Sequence, residues 1–247
     1  MTSAQPSRVL AVLSSALTLA VLALPLPAAS SDVMPDRRDI PDAFLRGVTH
    51  VVCVTFPEGA EAELPVYARG ETGFRQTGTL PRGLTGPLSR WDDDDGWQED
   101  CYPAFEDVQV SGDGDTARYA HVLIDLHVPG GRKVWLREGG ESGPSAPWVT
   151  IESLRTLEPF EDKRVEFHAL RRRGDPLVVR ESPRDEAREL DVDVAEDVIL
   201  GQRVGDYAEV VAYTPGQGGY VRVGWVRMVD AQGLLLVWPT HFQSHGC

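Results

Sequence analysis

The sequence predicts an all-β protein, two small β-barrels in tandem behind an export signal. Three observations predict it. Short runs rich in Val, Ile and aromatic residues alternate with turn signals, 24 Gly and 18 Pro in 247 residues. That composition favours short strands over long helices. Val134-Trp135-Leu136-Arg137, followed by Gly143 and Trp148, returns at a constant offset as Gly224-Trp225-Val226-Arg227, followed by Gly233 and Trp238. Matched spacing of this kind reads as one structural unit used twice. At the start, Arg8 precedes an apolar run, 9–26, that ends in small residues at Ala28-Ala29-Ser30, the layout of a secretory signal.

The chain divides accordingly into a signal peptide (1–30), a linker (31–47), a first module (48–157) and a second module with a tail (158–247). Pro25 and Pro27 suit a cleavage region better than a membrane span, so no integral span is expected after cleavage. The linker is polar and Pro-containing, with one helical turn expected over 41–45. His50–Phe56 (HVVCVTF) is rich in β-branched residues and reads as a buried strand. Glu63–Arg69 follows it after the turn at Pro57-Glu58-Gly59.

Residues 91–116 hold Asp92-Asp93-Asp94-Asp95-Gly96 and Gly112-Asp113-Gly114-Asp115. They read as an acidic, turn-rich insertion in the first module. Tyr119–Val128 and Arg132–Arg137 flank Pro129-Gly130-Gly131 as a hairpin. A short helical turn is expected in 148–157. In the second module Arg164–Leu170 and Leu177–Arg180 read as strands. Ser182–Asp197 is a long acidic loop, and Val198–Leu200 a short strand. Tyr207–Tyr213 and Tyr220–Arg227 form a second hairpin about Pro215-Gly216-Gln217-Gly218-Gly219, and Leu234–Trp238 closes the module.

Three cysteines in an exported chain suggest one disulfide and one leftover. Cys53 and Cys101 are the expected pair, because both belong to the first module; Cys247 is the last residue. A bridge between them would pin the insertion to the body.

The second module, about 171–240, resembles the bacterial SH3-like domain. The residues that carry the likeness are Arg180 near the end of its first strand, the long loop after it, and Gly224-Trp225-Val226 in the last hairpin. The first module resembles it more loosely, with Val134 in place of the Gly. The resemblance implies two SH3-like barrels in a repeat, a secreted or periplasmic location, and a binding module with no cofactor. Each Trp of the motif, Trp135 and Trp225, is expected to fill a thin core; a ligand-groove aromatic is the second reading.

The formal charge is −14, and removal of Arg8 with the signal makes the remainder more acidic. A chain so acidic repels nucleic acid and anionic headgroups. No nucleophile elbow, zincin motif, phosphate loop or dinucleotide fingerprint occurs, so an enzyme is not expected. The candidate ligand groove joins Tyr207, Tyr213, Tyr220 and Trp225 to Asp185 and Glu186 of the acidic loop. Acids beside aromatics there would read a Lys- or Arg-bearing peptide. The expected partner is an envelope protein or peptide, with peptidoglycan as the alternative. A hydrolase using Asp93, Asp95 or Glu99 as acid and base is the third reading, though consecutive Asp residues supply no fixed carboxylate separation. The Asp runs lack the spacing of a calcium loop and read as solvated turns; His241, His245 and Cys247 have a spacing that suggests a soft-metal tail, but a frayed terminus is the expected reading.

Overall fold

A β-branched run makes the first strand, β1 (His50–Phe56). Its Val52, Val54 and Phe56 turn to one side and Val51 and Cys53 to the other, with all five buried. That is the two-residue period of a strand with protein on both faces. The computed structural model describes residues 40–57, 62–92, 98–112, 115–140, 146–155, 165–169, 178–192, 198–214 and 219–239. The expected signal at 1–30, most of the linker and the tail with His241, His245 and Cys247 lie outside them. The expected helical turn is present as α1 (Asp42–Leu45), which buries Leu45.

The fold is nearly all β. In the first sheet β1 is joined by β2 (Glu63–Gly70), β3 (Gly73–Pro81), β4 (Ser89–Asp92), β5 (Gln98–Gly112) and β6 (Asp115–Asp125). β7 (Arg132–Arg137), β8 (Gly139–Gly140) and β9 (Trp148–Ser153) complete it. Its order is β3-β2-β7-β6-β5-β1-β9-β8, with β4 laid against β5, and it curls into a half-barrel. The second sheet contains β10 (Val165–Ala169), β11 (Val179–Arg180), β12 (Glu189–Leu190) and β13 (Val198–Val204). β14 (Tyr207–Thr214), β15 (Gly219–Arg227) and β16 (Val237–Pro239) follow. The order is β12-β11-β15-β14-β13-β10-β16.

Two expectations are corrected. Gln98–Gly112, assigned above to a turn-rich insertion, is a 15-residue strand paired with β1 on one side and β6 on the other. Its Asp100 is accommodated because it is partnered. Asp100 is wholly buried, but Arg90 Nε and Nη2 donate to its two oxygens at 2.7 and 2.9 Å. Gln98 Nε2 (2.6 Å) and the Tyr102 hydroxyl (3.2 Å) donate as well. A buried carboxylate is tolerated when its lone pairs are filled in this way. Residues 148–153, where a helical turn was expected, form β9, because they complete the open side of β1 from Thr55↔Trp148 to His50↔Ser153. Cys53 and Cys101 face each other across β1 and β5 and are bonded, the expected pairing.

Two hydrophobic clusters result. One fills the curl of the first sheet, from Val52, Val54, Phe56 and Leu64 to Tyr102, Val122, Ile124, Leu136 and Ile151. The other joins the far side of that sheet (Val51, Cys53, Leu88, Cys101 and Leu123) to Val179, Leu200, Val210, Val226, Val237 and Trp238 of the second. The halves are also stitched by backbone. Gly47 N–H donates to Gly233 O (2.8 Å) and Leu235 N–H to Leu45 O (3.0 Å). The Trp238 indole N–H donates to Ser89 Oγ at 2.8 Å. Gly224 is required by close approach. A Cβ there would lie 2.5 Å from Val179 Cγ1 and 2.7 Å from Arg180 O, closer than packed atoms tolerate.

Candidate functional site

The first sheet turns a row of rings outward. Strand register sets Tyr67 of β2 beside Trp135 of β7, Trp135 beside His121 of β6, and His121 beside Glu106 of β5. Alternation places Tyr119 on the same face, and Phe74 of β3 stands opposite Arg69. Phe74 stacks on Tyr119 with centroids 4.0 Å apart and planes 9° from parallel. It also meets Trp135 edge-on at 4.9 Å. His121 stacks on Trp135 at 4.9 Å, and Tyr67 meets Tyr119 edge-on at 5.3 Å. These offset and T-shaped geometries are the favourable ones for aromatic pairs. None of the five residues belongs to either hydrophobic cluster. Trp135 and Tyr119 form the floor, at 9% and 8% exposure. Tyr67, Phe74 and His121 are half-buried.

Charged groups frame this floor. The Arg69 guanidinium lies 5.8 Å over the Trp135 ring and reaches Glu106 at 3.8 Å, both side chains about half exposed. Glu106 also lies 3.8 Å from His121 Nδ1. Arg69 and Glu106 thus arch over the stacked Trp135–His121 pair, held by an exposed ion pair of the weak kind. Burial, and then the Lys133 charge, hold the His121 pKa below its usual value against the opposing pull of Glu106. Beside the floor, β3 is the last strand of its sheet. Counting from its two-residue turn, where Gly70 pairs with Gly73, the alternation of the ladder sends the main-chain groups of Phe74 and Gln76 outward. Rings and open backbone therefore sit side by side.

The second-half groove residues are arranged differently. Asp185 accepts a hydrogen bond from the Tyr207 hydroxyl, and Arg227 Nη1 donates to both of its oxygens at 2.7 and 2.8 Å. The Arg227 guanidinium lies 5.7 Å over the Tyr207 ring. The Tyr207 bond, then the nearby Arg227 charge, hold the Asp185 pKa below the usual carboxylate value despite opposing desolvation. Burial, then Asp185, raise that of Tyr207. This arrangement ties the acidic loop to the hairpin and satisfies Asp185 internally. Glu186 is exposed. Trp225 is buried at 7%, opposite Arg180 and Glu209 in the ladder. Tyr213 and Tyr220 pair across β14 and β15; their side chains lie outside what is described.

Among the catalytic candidates, Asp93 and Asp95 lie outside the described residues. Glu99 is buried at 3%, with an oxygen 3.8 Å from Cys101 Sγ. Cys53, Glu99 and Cys101 are close enough to share an ion, but both sulfurs are spent in the disulfide and offer no thiolate. The ring face escaped the sequence reading because its members come from four strands. Only the alternation of Tyr119 with His121, and of Tyr67 with Arg69, hinted that one face of each strand differs from the other. No protein-family model, no curated protein and no solved structure matches the chain.

Proposed function

We propose that this is an exported, non-catalytic binding protein that takes up an extended polypeptide along the β3 edge, with side chains seated on the Trp135 face. The observation that carries this reading is the five-ring face, which lies outside both hydrophobic clusters. Its floor, Trp135 and Tyr119, is buried, while Tyr67, Phe74 and His121 lie partly open above it, and partly open apolar surface of this kind marks an interaction site. An edge strand with outward N–H and C=O groups recruits another strand by main-chain hydrogen bonds, while neighbouring side-chain sites give specificity. The rim carries Arg69, Lys133 and Arg137 against Glu106, a local positive excess on a chain of formal charge −14. Acidic side chains on the incoming strand suit it. The apolar run after Arg8 supports export, and the Cys53–Cys101 bond is consistent with an oxidising compartment.

We further propose that the chain is one unit used twice. In this reading β1, β2, β3, β5, β6, β7 and β9 correspond in order to β10, β11, β12, β13, β14, β15 and β16. The two sheet orders support it, each running along those seven strands in the same sequence. The motif strands hold matching places in that order. β7, with Trp135, lies between β2 and β6, and β15, with Trp225, lies between β11 and β14. The SH3-like likeness of the second copy belongs with this proposal and rests on Arg180 and Gly224-Trp225-Val226.

The test is capture of envelope polypeptides by the purified protein, by Gln76→Pro and by Trp135→Ala. Gln76→Pro removes an outward N–H and keeps the inner ladder, so it should fold as the wild type does by circular dichroism and lose the captured strand. Capture undiminished in both variants would overturn the reading. Loss only in Trp135→Ala, with co-sedimentation on peptidoglycan, would favour sugar rings stacked on the face.

A further inference from the structure

The geometry points to a second site, for a small oxyanion, in the cleft between the two sheets. The cleft has a volume of about 440 Å³, and its lining includes Gly47, Thr49, Arg155, Arg203, Gly205 and Asp206. It lies at the seam where Gly47 N–H meets Gly233 O, away from the ring face, and does not depend on the polypeptide reading. Two guanidinium groups meet there and only one carboxylate, that of Asp206, lines the cleft among the described residues. Asp206 is itself shared, with Arg227 Nη2 3.7 Å away.

Arg203 carries the inference. It enters from the bulged part of β13, and its Nε donates to Gly205 O at 2.9 Å. Its Nη1 is sealed from solvent and has no acceptor among the described residues. A buried charged donor without an acceptor is costly, and the cost is relieved when one arrives. The Arg155 charge bears on two neighbours. Burial first, and then the Arg155 charge, weaken proton retention by Arg203 against Asp206. The same Arg155 acts on His50, after burial and Arg118 and against Asp107. An anion between the two arginines would neutralise this surplus, and a small turn of the Arg203 guanidinium would bring its empty donor onto the anion. Carboxylate and phosphate share the required chemistry: planar or tetrahedral oxygens matched to a guanidinium fork. Glycine at Gly47, Gly205 and Gly233 keeps much of the remaining wall to bare backbone, which leaves room for a ligand of a few heavy atoms.

The experiment is thermal denaturation of the full chain with increasing sodium phosphate, then sodium acetate, each against sodium chloride at equal ionic strength. A saturable rise in Tm beyond that of chloride is expected, and the stronger of the two anions identifies the class. Arg155→Ala removes an exposed side chain and should keep the fold while weakening the response about tenfold. Arg203→Met should abolish it. Arg222→Ala, on the exposed face of β15, should leave it intact. Three results would overturn the site: no excess over chloride, an undiminished response in Arg155→Ala, or equal loss in Arg222→Ala.

Discussion

Trp148 and Trp238 stand at matching places behind the two motif strands, yet they meet opposite surroundings. Trp238 is completely buried in the cluster shared by the halves and gives its indole N–H to Ser89. Trp148 opens β9 and is 56% exposed. Trp135 and Trp225 are nearly equally buried, at 9% and 7% exposure, and differ instead in what lies over them. Trp225 lies in a hairpin whose neighbouring loop is tied down by Asp185 and Arg227. Trp135 is the floor of an open ring cluster. Equal sequence marks therefore do not imply equal burial. The second half spends its closing Trp on the seam, and the first half keeps its aromatic surface for the outside.

The sharpest way to break this comparison is to remove the two tryptophans. Trp238→Ala deletes a fully buried ring and should cost about 3–5 kcal/mol. Trp148→Ala should stay within about 0.5 kcal/mol, as exposed positions do. Urea denaturation measures both, and equal losses would refute the contrast. Next in size is the disulfide. Cys53 and Cys101 are 48 residues apart, so replacing both with Ala should cost about 2–4 kcal/mol through the unfolded chain. Because both belong to the shared cluster, unfolding should remain one transition by fluorescence and by circular dichroism. Separate transitions would mean that the halves are held apart more than their packing implies.

The smallest effect separates the halves by pH. His50 and His121, both in the first sheet, have folded pKa values lowered from 6.5, chiefly by burial. The unfolded chain then binds protons first, so their contribution is complete above that value and is lost as pH falls through it. Asp185 in the second half is lowered from 3.8, chiefly by the Tyr207 bond. Its contribution persists to lower pH and is lost only below that value. Urea midpoints at pH 7.5, 5.5 and 3.5 should show two steps. His50→Gln should flatten the first and Asp185→Asn the second; a first step unchanged in His50→Gln would sink the assignment.

Much of the fold was legible because its signal is local. The β-branched run at His50–Phe56, the hairpin ending at Arg132–Arg137 and the pair Tyr207–Thr214 with Gly219–Arg227 announce themselves by composition and turn residues. Gln98–Gly112 did not, because its strand character depends on partners outside it. Asp100 is acceptable in the interior only with Arg90, ten residues away in sequence, in bidentate contact. Trp148–Ser153 likewise becomes a strand because β1 needs a second neighbour. The ring face is a product of register. Tyr67, Phe74, Tyr119, His121 and Trp135 are unremarkable one by one, and a slip of one residue in any strand would scatter them. The disulfide was easier to foresee, since only three cysteines compete.

The stitching of the halves bears on how the chain reaches this state. Arg46 donates to Gln232 O across 186 positions, beside the ladder that joins Leu45 and Gly47 to Leu235 and Gly233. A chain emerging N-terminus first must wait until residue 235 has emerged before Leu45, Arg46 and Gly47 find these partners. Contacts of such separation slow folding, because loop closure precedes their reward. Until then Leu45, Val51 and Leu123 stay uncovered by the second sheet, a sticky interval in the life of each molecule.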